Sequence, residues 1–244
     1  MKFMSRPKAS APTNRLLDAL PGRRRRQFLA DCERVELDFA QVLYEPEVPI
    51  RHAYFPLDCF ISLVTSVDDN VQLEVGLVGN EGMLGVSLVL GVDVSPKHAV
   101  VQGPGSALRM TAATFRRHCK DGAALRGNLH RYIHVQIAQL SQMTACTHYH
   151  RVEARLARWL LMTRDRANGD HFHLTHEYLA FMLGVRRVGI TQAASALQRR
   201  GLVSYKRGDI SILDGAGLER ASCRCYGAAK DIYEKTMRVR ALPH

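Results

Sequence analysis

Residues 186 to 192 read Arg-Arg-Val-Gly-Ile-Thr-Gln. Arg186 and Arg187, followed at helical spacing by Thr191, Gln192 and Ser195, are residue types that bond base edges. Arginine reaches N7 and O6 of guanine with two parallel hydrogen bonds, and glutamine does the same for adenine. Lys206 and Arg207, further on, suit phosphates. Three other groups could do chemistry. His171, His173 and His176 form His-x-His-x-x-His, with His148 and His150 upstream. On a strand His171 and His173 share a face, so a metal site is conceivable, although histidine beside a base-reading helix more often meets phosphate. Glu81-Gly82-Met83-Leu84-Gly85 is a glycine-dense turn. The six cysteines are Cys32, Cys59, Cys119, Cys146, Cys223 and Cys225. Only the last two are close, and a lone Cys-x-Cys is a weak metal signal, so all six read as free thiols and no metal site is expected.

The elements that must position the arginines can be read locally. Thr175 caps a helix running HEYLAFML, Gly184 permits a tight turn, and Arg186 to Arg199 form the next helix, ended by Gly201. LVSY and ISIL then make a hairpin around residues 206–209. A helix-turn-helix needs a small residue where its helices cross, supplied by Ala180, and a glycine four residues on, supplied by Gly184. Leu179, Leu183, Val185, Ile190 and Ala193 face the shared core. With that face buried, Arg186, Arg187, Thr191, Gln192 and Ser195 point outward, at the helix end that enters a major groove.

Upstream, Asn14 caps a short helix through Leu20 that Pro21-Gly22 breaks. Arg23 to Arg26 read as a solvated, ion-paired helix face beside Asp31, Glu33 and Glu36. Residues 42 to 110 have the texture of short strands and turns, including a hairpin turn at residues 68–70 and two strands joined at Gly103-Pro104-Gly105, which argues for a β-barrel or roll. TAATFRRHC is a short helix. From Ala123 to about Thr147 the apolar residues Leu125, Leu129, Ile133, Ile137, Leu140 and Met143 form one stripe on a helix about 37 Å long. Pairing with a second copy, in coiled-coil style, would cover that stripe. A further helix is expected over residues 153–166, ended by Asn168-Gly169.

The chain has 244 residues, a hydrophobic fraction of 46% and a net charge of +11. Residues 1 to 111 carry 12 Lys+Arg and 13 Asp+Glu, and residues 112 to 244 carry 22 and 10. All the excess positive charge therefore lies in the second half, which suggests a polyanion partner for that half. No apolar run is long enough to span a bilayer, and the N-terminus reads as neither signal peptide nor anchor, so a cytoplasmic protein with no membrane partner is expected.

With YFPLDCFISLV, VGNEGMLG and HEYLAFMLGVRRVGITQAASALQRRGLV, the chain resembles the Crp/Fnr family of bacterial transcription regulators from about Leu16 to Leu213. The resemblance implies an α+β chain: a mobile arm (1–13), a cyclic-nucleotide-binding-like β-roll or jelly-roll sensor (14–120), a dimerisation helix (121–148) and a winged helix-turn-helix domain with a C-terminal helical tail (149–244). It also implies a homodimer on a two-fold symmetric stretch of double-stranded DNA, acting with RNA polymerase. Arg187 takes the position of the family's main base-contacting arginine, Val188 stands where many members have glutamate, and Gln192 where the cyclic-AMP branch has a second arginine. Thr175, His176 and Lys206 fall at backbone-contacting positions. In the sensor, Glu81, Gly82, Met83 and Gly85 fall at the phosphate turn, and Lys97 and His98 where the family has an Arg-Ser pair. These departures argue against cyclic AMP, because a lysine lacks the two-pronged grip of arginine. No cysteine precedes Cys32, which argues against an iron–sulfur cluster. No cofactor is expected, and any small-molecule effector is left open. Two other readings stand beside a regulator that is not an enzyme. One is a metal-dependent cupin-like enzyme using His52, His98, Glu74 and Glu81. The other is a ligand-sensing interaction protein without DNA binding.

Overall fold

The computed structural model describes residues 12–68, 71–167 and 169–238. The arm expected over residues 1–13, apart from its last two residues, lies outside them, as do Asp69, Asn70 and Asn168 of the expected turn and helix end. In chain order the elements are α1 (Arg15–Asp18), α2 (Gly22–Ala30), β1 (Glu33–Leu37), β2 (Val42–Tyr44), β3 (His52–Pro56), β4 (Phe60–Asp68), β5 (Val71–Val78), a 3-10 turn (Val86–Leu90), β6 (His98–Gly103), β7 (Gly105–Thr111), α3 (Ala112–Asp121) and α4 (Ala123–Tyr149). Then come α5 (Val152–Ala167), β8 (His171–His173), α6 (His176–Leu183), α7 (Arg187–Arg199), β9 (Val203–Lys206), β10 (Asp209–Ile212), α8 (Gly215–Ala221) and α9 (Cys225–Arg238).

The first seven strands form two antiparallel sheets, β1-β7-β3 and β2-β6-β4-β5. The strands β6 and β7 are joined at Pro104, as the glycines there suggested, yet they enter different sheets. Gly105 makes the crossing at φ +147°, where a Cβ would sit 3.2 Å from the Asp58 backbone, so only glycine fits. Asp58 Oδ1 fixes the corner by accepting from the Ser106 amide at 2.6 Å. The core between the sheets holds Phe28, Phe55, Ile61, Met83, Met110 and Phe115. Asn14 caps α1 as expected and anchors it: its Nδ2 donates to the carbonyls of Pro56 and Gly82 at 3.0 and 2.8 Å.

Two expectations need correction here. The chain after the arginine run is not all helix, because residues 33–37 are strand β1, paired with β7. Glu33 and Glu36 therefore do not flank the arginines: Glu33 binds Arg109 at 2.6 Å, and Asp31 binds His118 at 2.8 Å, while Arg25 pairs with Asp18 at 2.6 Å. The apolar stripe on α4 is also divided. Leu125 and Leu129 are buried in the core of their own roll, so they are unavailable to a partner. Ile133, Leu140 and Met143 are half-buried, and Ile137 is 58% exposed.

A second core, around Leu156, Trp159, Leu160, Leu183, Ile190 and Leu197, holds α5 to α8 together with the three-stranded sheet β8-β10-β9. The last helix does not remain with that core. It runs back along α4, where Gln139 donates to the Ala229 carbonyl, and inserts Tyr233 into the first core. Tyr233 also donates to the Glu81 carbonyl at 2.8 Å. The two halves meet directly: Trp159 Nε1 donates to Glu74 at 2.8 Å, and Arg166 pairs with Glu81 at 2.6 Å. Gly184 abuts Leu73, whose Cδ1 lies 2.8 Å from where a Cβ would be. Among the described residues no helix is long and apolar enough to cross a membrane.

Candidate nucleic-acid interface

Local sequence explains how α6 and α7 are held. Thr175 Oγ1 accepts from the Tyr178 amide at 3.1 Å and caps α6. Gly184 ends the helix in the left-handed region, φ +61° and ψ 46°, which glycine enters without the clash a Cβ would make. The Val185 amide then returns to the Ala180 carbonyl at 3.0 Å and closes the turn. The next helix buries Ile190, Ala193, Ala194 and Leu197.

That burial decides what faces outward. Arg186, Arg187, Thr191, Gln192 and Ser195 are all exposed. Arg186 is the extended residue before α7, and no side chain caps the helix there. The first-turn amides and the positive end of the helix dipole are therefore open to an anion. Among the described residues, neither Arg186 nor Arg187 forms an ion pair. By helical spacing, Val188, Gln192, Ser195 and Arg199 lie along one line, flanked by Arg187 and Thr191. Val188, 59% exposed, also lies on this face. It and Arg199 were missing from the residues picked out by type.

The wing is a two-residue hairpin. Arg207 at φ +52° and Gly208 at φ +92° both occupy the left-handed region, as a type I′ turn requires. Arginine is an unusual occupant there, and the turn presents its side chain, with that of Lys206, to solvent.

His176 is engaged within the module. Its ring stacks on Tyr205 with centroids 4.2 Å apart, and its Nδ1 lies 3.0 Å from Thr191 Oγ1. These contacts brace α6, α7 and the wing against one another. Burial, with the nearby Arg187 charge, pushes its pKa below the usual imidazole value. The sequence motif of three histidines does not converge. His171 bonds Ser211 and His173 bonds Asp209 on the exposed face of β8, away from the contacts of His176.

The candidate effector residues are not gathered around one cavity. Met83 is fully buried in the core. Gly82 is closed over by Tyr132, whose hydroxyl sits where a Cβ would be. Gly85 turns at φ +100° beneath the Tyr44 hydroxyl. Glu81 is held by Arg166. Lys97 instead lines a small cavity of about 60 Å³ with Gln136, Leu140 and Trp159, and His98 begins β6 opposite Val64. Nor do the groups of the enzyme reading meet. Glu74 is bound by Ser62 and Trp159, Glu81 by Arg166, and neither approaches His52 or His98 as part of a metal-ligand group among the described residues.

Residues 154–221 match the family model of the Crp-like helix-turn-helix domain. Those residues are a Crp-like helix-turn-helix domain. A Crp/Fnr-family transcriptional regulator structure from Eubacterium rectale superposes with a TM-score of 0.67 at 16% identity, covering 85% of this chain and 97% of that one. A CRP-family regulator from Thermus thermophilus gives 0.65 at 18% identity, covering 77% and 96%. FixK2 from Bradyrhizobium japonicum gives 0.66 at 12% identity, covering 79% and 98%. At these identities the likeness establishes a shared fold. No curated protein matches the chain in sequence. Within the matched domain, α6 and α7 are the two helices of the helix-turn-helix, and β9-β10 is the hairpin that follows them.

Proposed function

We propose that the chain is a sequence-specific DNA-binding transcription regulator that acts as a homodimer on a two-fold symmetric operator. The observation that carries this reading is the unpaired Arg186-Arg187 end of α7, exposed beside the Lys206-Arg207 wing on a Crp-like helix-turn-helix. Direct readout falls to Arg187 and Gln192, and positioning on the phosphates to Thr175, Lys206 and Arg207. A half from about residue 14 to 120 serves as sensor and one from about 149 as reader, joined by α4. The sensor departs from a cyclic-AMP cradle: Met83 is turned into the core, and no arginine stands at the Lys97-His98 position. We assign the outcome at the promoter to contact with RNA polymerase or its exclusion.

The test is selection of bound sequences from a random DNA pool by the purified protein at two salt concentrations. A two-fold motif with half-sites about one helical turn apart is expected. Binding that selects no motif and vanishes with salt would reduce the protein to phosphate attraction alone.

The dimer rests on the exposed part of α4, centred on Ile137 with Ile133, Leu140 and Met143 beside it. Ile137→Glu places a charge in that contact and is expected to yield a folded monomer by sedimentation, with operator binding lost. A dimer of unchanged affinity would move the interface elsewhere.

A further inference from the structure

Four side chains far apart in sequence converge where α4 ends. Cys146 lies in the last turn of that helix, and His150 is the extended residue that follows it. Cys223 and Cys225 bracket the start of α9. Their three Sγ atoms and one imidazole nitrogen all lie within 4.8 Å of one another. Cys146 Sγ is 3.5 Å from Cys223 Sγ, and Cys225 Sγ is 3.6 Å from His150 Nδ1. A tetrahedral zinc ion, with Zn–S about 2.3 Å and Zn–N about 2.0–2.1 Å, sets neighbouring donors about 3.5–3.8 Å apart. The Cys146–Cys223 and Cys225–His150 separations are close to those edges, and the remaining ones are no longer than 4.8 Å.

The surroundings fit a metal as well. All three cysteines are buried in a small cluster of their own, apart from both main cores, with Ala154 packed against it. An amide donor supports the ligand set, since Gln142 Nε2 lies 3.1 Å from Cys225 Sγ. Charge gives an independent argument. Arg155 and Arg158 are buried beside the cluster, and neither pairs with a carboxylate within 4 Å among the described residues. Arg158 Nε has no partner at all. Buried guanidinium groups need a counter-charge nearby. Three neutral thiols supply none. Three thiolates, a neutral imidazole and a dication leave one net negative charge.

We propose that Cys146, His150, Cys223 and Cys225 form a closed four-coordinate site for zinc. Soft thiolate donors with one imidazole select zinc over magnesium or calcium, and four protein ligands leave no open position, so the role is structural. The ion would tie the end of α4 to the start of α9, at the two-residue link, His150-Arg151, that separates α4 from α5. Under the DNA-binding reading, that is the joint between the dimerisation helix and the reading half. The site itself does not depend on that reading.

The test uses the full chain, expressed with added zinc and purified under reducing conditions without chelator. One zinc per chain by elemental analysis is expected. After removal of zinc, titration with Co²⁺ should give thiolate-to-cobalt charge-transfer absorption and the intense visible bands of tetrahedral cobalt, reaching a plateau at one equivalent. Cys225→Ser should weaken the charge-transfer band and lower metal affinity at least tenfold, whereas Cys32→Ser should change neither. Should a variant fail to fold, the cobalt titration of the unaltered chain still decides. Substoichiometric zinc with no charge-transfer band overturns the proposal. So does a Cys146–Cys223 disulfide found by peptide mapping of the protein as purified, which would make the pair a redox couple. None of these readouts involves DNA, so failure of the site and failure of the DNA-binding reading remain separate.

Discussion

Arg187→Ala is expected to lower affinity for the selected operator roughly 10- to 100-fold, since one bidentate arginine–guanine contact contributes about 1–3 kcal/mol of discrimination. The fold should not change. Arg187 is exposed in the first turn of α7, and the residues that dock this helix, Ile190, Ala193, Ala194 and Leu197, are untouched. Alanine is also the best helix former, so no propensity is lost. The loss should fall on one base position of each half-site, with binding to unrelated DNA nearly unchanged. Lys206→Ala makes the contrast. A phosphate contact carries no sequence information, so its loss should weaken binding evenly across sequences and reduce the slope of log K against log salt by about one. Titration of both variants against operator and scrambled duplexes separates the two roles. Equal preference for both duplexes in the unaltered protein, or an unaltered operator preference in Arg187→Ala, would remove Arg187 from the readout.

The reading module was legible because its determinants are local. Thr175, Ala180, Gly184 and the buried positions of α7 fall within about twenty residues, and each has a conformational reason to be where it is. Longer-range features were not legible for equally physical reasons. Strand β1, ERVEL, is buried only at Leu37, so it lacks the alternation that marks a half-buried strand. On α4, spacing revealed an apolar stripe but not its owner. Leu125 and Leu129 pack in their own roll, while α9 covers part of another flank. A period of three and four residues reads the same whether the cover comes from the same chain or a copy. The candidate effector residues came from resemblance at loop positions, where local geometry is set by neighbours such as Tyr132 and Tyr44. The Cys/His cluster joins residues 77 apart, and only the return of α9 along α4 brings Cys223 to Cys146.

Raising the pH from about 5 to 8 is expected to weaken the contact between the two halves through Glu74, and Glu74→Gln should abolish that sensitivity. Glu74 lies on β5, is 5% exposed, and accepts from Ser62 at 2.7 Å and from Trp159 at 2.8 Å. Burial pushes its pKa up to about 7, against the opposing pull of those two hydrogen bonds and of Arg158 and Arg166. A protonated Glu74 also completes a donor chain, because its hydroxyl can donate to Ser62 while Ser62 donates to Gln102. The folded state thus holds a proton that the unfolded chain releases near its ordinary value of 4.5. The stabilisation is fully present below that value, and it is lost as pH rises through about 7. At about 1.4 kcal/mol per unit, the loss is about 3 kcal/mol at most. Urea denaturation at pH 5, 6, 7 and 8 should show stability falling in the unaltered chain relative to Glu74→Gln, the difference isolating this group from the 11 histidines. Trp159 is the only tryptophan, so its emission should titrate with the same midpoint near pH 7. Parallel stability curves for the two proteins, or emission independent of pH, would place the proton elsewhere. Because the Glu74–Trp159 bond joins β5 to α5, and α6 packs on β5 at Leu73, this carboxyl tunes, beside the Arg166–Glu81 pair, how firmly the roll grips the domain that carries α7.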